Sequence, residues 1–259
     1  MAAGSPLERF GALLFRWRSF TPLLLVPVAV PLLWGSRGLA SPWWMVIGFV
    51  LCAAGQALRA WVIGQVPDGT SGQNEVLIAT QLNTSGPYAH MRNPLYLGNL
   101  LITLGLCALA HEPVVLALVG ALFWLQYRAI IAAEEQFLRG RFGAAFDDFC
   151  ARVPRFWPSP RALTAGPVRP WSPKRAIWKE HNPAASWLLL GLLLLGIDQA
   201  VSARRLGAPS TLRGLGLWPH AIAAACVLAL YLGVKAWKHH WLSGGFWADM
   251  RRRVRETAR

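Results

Sequence analysis

Residues 95–131 read LYLGNLLITLGLCALA, then HEP, then VVLALVGALFWLQYRAII. Two apolar legs, 95–110 and 113–131, are joined by the short polar bend His111-Glu112-Pro113. At about 1.5 Å per residue each leg rises roughly 24 to 28 Å, close to the ~30 Å hydrocarbon core of a bilayer. The pattern predicts a tight transmembrane helical hairpin. A hairpin returns the chain to the face it left. The segments before residue 95 and after residue 131 are therefore expected to share one side of the membrane, though they are far apart in sequence.

Both flanks are dense in polar groups. Ahead of the hairpin runs Thr84-Ser85-Gly86-Pro87-Tyr88-Ala89-His90-Met91-Arg92-Asn93-Pro94-Leu95-Tyr96. Gly86-Pro87 reads as a turn. Asn93-Pro94 reads as a helix cap followed by proline at the first helical position. Behind the hairpin come Arg128, Glu134 and Glu135; Arg128 and Glu135 are seven apart, which puts them on one helix face. Polar side chains this dense at the mouth of an apolar segment are costly unless they bind something. The candidates are Gln73, Tyr88, His90, Arg92, Asn93 and Tyr96 from one flank, and Arg128, Glu134 and Glu135 from the other. The plainer alternatives are interfacial anchors for the tyrosines, a lipid-headgroup contact for Arg92 and a solvated face for the glutamates. No metal triad, nucleophile elbow or phosphate-binding glycine loop is present. On these residues alone the chain has a polar site at a membrane surface, with no reaction specified.

The rest of the chain agrees with a membrane setting. It is 54% hydrophobic and only 15% charged over 259 residues, whereas a soluble domain carries about 25% charged residues. The net charge of +14 sits in short segments between apolar runs. That placement fits the positive-inside rule and anionic headgroups better than nucleic acid. Trp17, Trp34, Trp43, Trp44, Trp218, Trp237 and Trp241 fall at the ends of apolar runs, as in an interfacial belt. Cys52, Cys107, Cys150 and Cys226 form no CxxC and read as small hydrophobes.

Further spans are expected at 19–35, 43–63, 183–201 and 217–237, which makes about six. A cleavable leader ending near Gly38-Leu39-Ala40 is the competing reading of the first. Arg59, near the end of its span, is expected to snorkel. Gly64 to Gly72 should break the helix, and Val76 to Ala79 reads as a short strand or an interfacial turn. Residues 133–160 look like an amphipathic interfacial helix with a proline-rich exit. Residues 158–181 look like a basic, Pro-rich linker. Asn182-Pro183 reads as the start of the next span. The expected architecture is all-α: a polytopic membrane helix bundle with a core at 1–160, a linker at 161–182 and a two-span extension with a basic tail at 183–259. Cation bias places both termini in the cytoplasm.

The signature segment resembles that of the isoprenylcysteine carboxyl methyltransferases, which are allied to the membrane phospholipid methyltransferases. The matching motifs are Gln73-Asn74-Glu75, Thr84-Ser85-Gly86-Pro87-Tyr88, Arg92-Asn93-Pro94-Leu95-Tyr96-Leu97-Gly98, Glu134-Glu135, Phe142-Gly143 and Val153-Pro154. They keep the family's order and cover about a third of the chain. The resemblance implies S-adenosylmethionine as cofactor, with S-adenosylhomocysteine as product and no metal. It places the cofactor contacts on Gln73, Thr80, Gln81, Leu82, Asn83, Tyr88, Asn93, Pro94, Leu95, Tyr96 and Glu134. It implies a substrate-linked arginine, to which Arg128 is nearest; the residues open to chemistry are Arg92, Arg128, His90 and Glu135. The eukaryotic enzymes have histidine where this chain has Asn93, a feature closer to bacterial members, and their core lacks the last two spans. The implied setting is a bacterial inner membrane. The implied partners are membrane lipids and a lipophilic or small acceptor, either a carboxylate or a thiol. A phospholipid amine is the alternative acceptor, and a non-catalytic lipid-binding protein is the alternative of another kind. Nucleic acid is not among the expected partners.

Methyl transfer from a sulfonium is an in-line displacement that mainly needs alignment and exclusion of water. A carboxylate or thiolate acceptor needs no strong base. An amine needs its proton removed, a role open to His90 or Glu135. Tyrosine faces suit a sulfonium, and arginines suit a carboxylate.

Overall fold

The computed structural model describes residues 42–66, 81–111, 113–160 and 170–239, with Leu14 and Ala79 besides. The expected first span at 19–35, Gln73-Asn74-Glu75 with Thr80, the stretch 161–169 and the tail from residue 240 lie outside the described residues. The described regular structure is entirely helical. It comprises α1 (Pro42–Gln65), a 3-10 turn (Gly86–Ala89), α2 (Pro94–Ala110), α3 (Pro113–Phe142), α4 (Ala144–Arg152), α5 (Pro173–Arg205) and α6 (Trp218–Lys238). Helices α1, α3, α5 and α6 are long and apolar enough to cross a membrane, and α2 is a shorter apolar helix of 17 residues. The protein is a helical membrane bundle.

Helix α2 sits at its centre, packed against α1, α3 and α5. Glycine brings α1 and α2 close. A Cβ on Gly55 would lie 2.5 Å from the carbonyl oxygen of Gly98, and one on Gly105 would lie 2.6 Å from that of Gly48. The two backbones touch at two heights, which no larger residue permits. Lipid tails are as apolar as leucine, so helices in a bilayer associate through such close packing rather than through hydrophobic drive. Between the glycines, fully buried Cys52 donates its thiol to the carbonyl of Ile102 at 3.5 Å.

The hairpin forms where the sequence places it. His111 ends α2 in the left-handed region, φ 55°, and its N–H bonds back to Ala108. Buried Cys107, Val115 and Val119 then close the two legs on each other. The second leg, however, does not stop at residue 131. Helix α3 runs on for 30 residues, about 45 Å, well past the hydrocarbon thickness. The amphipathic helix expected at 133–160 is therefore two pieces: the end of α3, then α4 after Gly143. Gly143 takes φ 53°, a conformation that glycine alone adopts cheaply. The turn folds Phe146, Phe149 and Val153 back onto Leu138 and Phe142.

Two further boundaries differ from expectation for one reason. Helix α1 continues through Gly64 to Gln65, and α5 begins at Pro173, ten residues before Pro183. The start of α5 caps the end of α1. Ser172 N–H and Arg175 Nη1 donate to the Gly64 carbonyl at 2.9 and 3.1 Å, and the Trp171 indole N–H donates to the Ala60 carbonyl at 3.1 Å. Carbonyls in the last turn of a helix lack partners of their own; here they find them on a segment more than a hundred residues away. Ser172 also caps α5, accepting from Arg175 N–H at 3.3 Å. Ser172-Pro173 carries the same cap-and-proline signal as Asn182-Pro183, and the tertiary contact selects it. Pro183 lies inside the helix.

Helix α6 packs on α5 and has no buried residue. Trp43 and Trp44 at the start of α1 are exposed, as are Trp218 and Trp237 at the two ends of α6. All four cysteines are free; Cys52 and Cys107 are buried, while Cys226 faces outward from α6.

Candidate functional site

The polar site is built where α2 begins, beside the protruding end of α3. The segment before α2 is pinned by the chain leaving α4. Arg92 N–H donates to the Pro154 carbonyl at 2.9 Å, and Ser159 N–H donates to the His90 carbonyl at 2.9 Å. His90 Nδ1 lies 2.9 Å from the Ser159 carbonyl. That oxygen only accepts, so Nδ1 carries the proton and Nε2 is left as the ring's acceptor. Pro94 occupies the first turn of α2 as expected, but Asn93 does not cap with its side chain. Its amide instead donates to the Arg155 carbonyl at 2.8 Å.

The two flanks of the hairpin meet. Tyr96, in the first turn of α2, donates its hydroxyl to Glu134 Oε2 on α3 at 2.8 Å. The Tyr96 ring packs edge-on against Tyr127 at 4.9 Å, and Tyr127 stacks on Phe123 at 4.0 Å. Tyr88, partly buried in the 3-10 turn, faces the same region. Burial pushes its phenol up, and the Glu134 carboxylate raises it further.

Beside this pair lies an ion cluster. Glu135, only 8% exposed, accepts from Arg92 Nη1 at 2.9 Å, from Arg155 Nε at 3.0 Å and from Arg155 Nη2 at 2.5 Å. Arg92 Nη1 also lies 2.9 Å from the Cys150 thiol. Its Nε–H is buried without a partner among the described residues. Both Glu135 oxygens thus accept from guanidinium groups, and Glu135 joins Arg92 to Arg155.

The remaining expected residues spread more widely. Leu95 and Asn83 are half-buried, Pro94 is fully buried and Gln81 is exposed. Leu82 packs on the apolar face of α4. Arg128 is exposed, and the ion pairs of Glu135 among the described residues go to Arg92 and Arg155. Gln73 and Thr80 lie outside the described residues.

Sequence reasoning missed Arg155, which comes directly after the Val153-Pro154 exit. It also misread Arg59. That side chain does not snorkel; it turns inward and donates to Glu180 on α5 and to Asn99 on α2. Asn99 in turn donates to the Tyr127 hydroxyl at 2.9 Å. Polar residues within apolar runs were the available signal, since such residues are rarely idle in a membrane.

The donor set suits a cofactor that carries a sulfonium, an ammonium and a carboxylate. Glu134 supplies a negative charge beside two tyrosine rings, and the Arg92 Nε–H is a buried donor left for an anion.

The sequence model of the phospholipid methyltransferase family matches residues 43–145, from the start of α1 into α4. Two similar bacterial proteins are the cobalt-zinc-cadmium resistance protein CzcN of Cupriavidus metallidurans and the nickel-cobalt-cadmium resistance protein NccN of Alcaligenes xylosoxydans xylosoxydans. The first is 33% identical over 46% of this chain, and the second 38% identical over 31% of it. The protein-S-isoprenylcysteine O-methyltransferase B of Arabidopsis thaliana is 28% identical over 45% of this chain. The chain spans 50%, 37% and 61% of the lengths of these three relatives, in that order. No solved structure matches the chain at a significant level.

Proposed function

We propose, from the match of residues 43–145 to the sequence model of the phospholipid methyltransferase family and the partial likeness to an isoprenylcysteine O-methyltransferase, that this protein methylates a lipophilic or small apolar acceptor at the membrane surface. S-adenosylmethionine is the donor in this reading; bound, it supplies an electrophilic methyl group. The observation that carries the reading is the 2.8 Å Tyr96–Glu134 hydrogen bond, which brings the two motif segments together.

Each side chain then has a task. Glu134 accepts hydrogen bonds from the donor's ribose hydroxyls or amino group. Tyr88 and Tyr96 offer ring faces to the sulfonium. The Nε–H of Arg92 holds a carboxylate, with Glu135, itself held by Arg155, fixing the guanidinium. Asn93, Pro94 and Leu95 shape the pocket wall at the start of α2. His90 Nε2 is the acceptor placed to receive a proton where the acceptor group needs to lose one. We place this site at the cytosolic face of a bacterial inner membrane, with both termini in the cytosol as the cation bias of the sequence suggests.

A carboxylate or thiol acceptor is the leading class, because neither group needs a strong base. A phospholipid amine is the second reading, favoured by the description of the matching family.

Two measurements test the proposal. Titration calorimetry of the protein in nanodiscs is expected to show S-adenosylmethionine binding that Tyr96→Ala and Glu134→Ala each abolish. Absence of binding by the unaltered protein in both detergent and nanodiscs overturns the reading in favour of a non-catalytic lipid-binding protein. Incubation with labelled donor, total membrane lipid and small thiols, followed by mass analysis, identifies the acceptor.

A further inference from the structure

A second polar cluster lies inside the bundle. Glu180 on α5 is 5% exposed. Its carboxylate accepts from Arg59 Nε at 2.8 Å and from Nη2 at 2.9 Å, a two-point ion pair, and from Gln56 Nε2 at 2.9 Å. Gln56 accepts in turn from the Trp187 indole N–H at 3.1 Å. Arg59 Nη1 donates to Asn99 Oδ1, and Asn99 Nδ2 donates to the Tyr127 hydroxyl. The Tyr127 ring lies edge-on against Tyr96.

The direction of this network is set at its Glu180 end. A guanidinium can only donate, so Asn99 must turn its oxygen toward Arg59 and its NH2 toward Tyr127. The bidentate carboxylate holds the guanidinium in one plane. Hydrogen-bonded step by step, the cluster acts as a rigid unit. Helix α5 lies beyond the family-matched segment 43–145, yet it supplies the acidic group on which this chain of contacts turns.

We propose that Glu180 is a positioning residue for the donor pocket: through Arg59, Asn99 and Tyr127 it sets the placement of Tyr96, and so makes the C-terminal helix part of the site. The inference rests on the reading of Tyr96 and Glu134 as the donor pocket.

The full-length protein in nanodiscs carries the test. The double variant Arg59→Met with Glu180→Leu removes the pair without leaving a lone buried charge, an exchange that proteins tolerate. The chain has four tyrosines, so carbon-13 labelling of the tyrosine rings gives few signals, and Tyr96→Phe assigns the one that matters. The Tyr96 signal is expected to shift in the double variant without any donor present. S-adenosylmethionine binding is expected to weaken about tenfold. In a Tyr96→Phe background the double variant is expected to add little further loss, whereas an unrelated structural effect adds in full. An unmoved Tyr96 signal with unchanged donor affinity in the folded variant overturns the inference. A shifted Tyr96 signal in a protein that binds no donor keeps the control of Tyr96 and overturns the donor reading instead. Asn99→Ala spares the ion pair and is read by the same criteria where the double variant does not fold.

Discussion

Tyr96 shows how much one hydroxyl carries. Its O–H reaches Glu134 from the opposite leg of the hairpin. Replacing it with phenylalanine removes one of the donors to that carboxylate and leaves the ring in place. A hydrogen bond to a charged group contributes about 1.5–3 kcal/mol, so Tyr96→Phe is expected to weaken donor binding at least tenfold; calorimetry with an unchanged dissociation constant refutes this. Tyr88 makes a pH prediction. Its phenol is raised by burial and by Glu134, so the folded state holds that proton more tightly than the unfolded chain does. The stability this confers is fully present below the ordinary phenol value of about 10 and is lost progressively as pH rises above it. Thermal melts from pH 9 to 11 should fall more steeply for the unaltered protein than for Tyr88→Phe. Parallel curves refute the assignment.

At the scale of elements, the bundle depends on the glycine seam between α1 and α2. A side chain on Gly55 meets the Gly98 backbone at 2.5 Å, and backbone cannot step aside as a flexible side chain can. Overpacking of this kind costs typically about 1–3 kcal/mol. Gly55→Leu is therefore expected to lower the melting temperature in detergent and to disturb Arg59, one turn further on. Gly120→Ala on α3 is the control, because nothing lies within 4 Å of its site, and it should melt like the unaltered protein. Equal melting of both variants shows that the seam does not hold the helices. The α3–α4 break belongs to this scale too. Phe142-Gly143 is visible in the sequence as a motif, but that Gly143 turns the chain at φ 53° and brings Arg155 to Glu135 emerges only from the folded backbone.

At the scale of the whole molecule, contacts among the described residues tie the C-terminal helix α5 to α1. Helix α5 caps the end of α1 and places Glu180 against Arg59. Removing everything after residue 160 takes the counter-ion from Arg59, and an unpaired charge within a membrane span is costly. The truncated chain is expected to accumulate poorly in membranes, and an added Arg59→Met is expected to restore part of the loss. Truncation with full accumulation and unchanged donor binding would show that α5 is dispensable.

The residues alone sufficed for whatever short-range pattern dictates. The apolar legs, their length and the His111-Glu112-Pro113 bend specified the hairpin, because a bilayer leaves no other way to satisfy the backbone of such a run. The hairpin in turn required Tyr96 and Glu134 to share a face, and their hydrogen bond shows that they do. Tertiary structure decided the rest. Ser172 rather than Asn182 begins α5 because its neighbours satisfy the last carbonyls of α1. Arg59 turns inward because Glu180 is there to meet it. Arg155, and not exposed Arg128, pairs with Glu135 because α4 folds back at Gly143. In each case a buried polar group takes the partner that the packed chain brings within reach, and sequence spacing carries no record of that meeting.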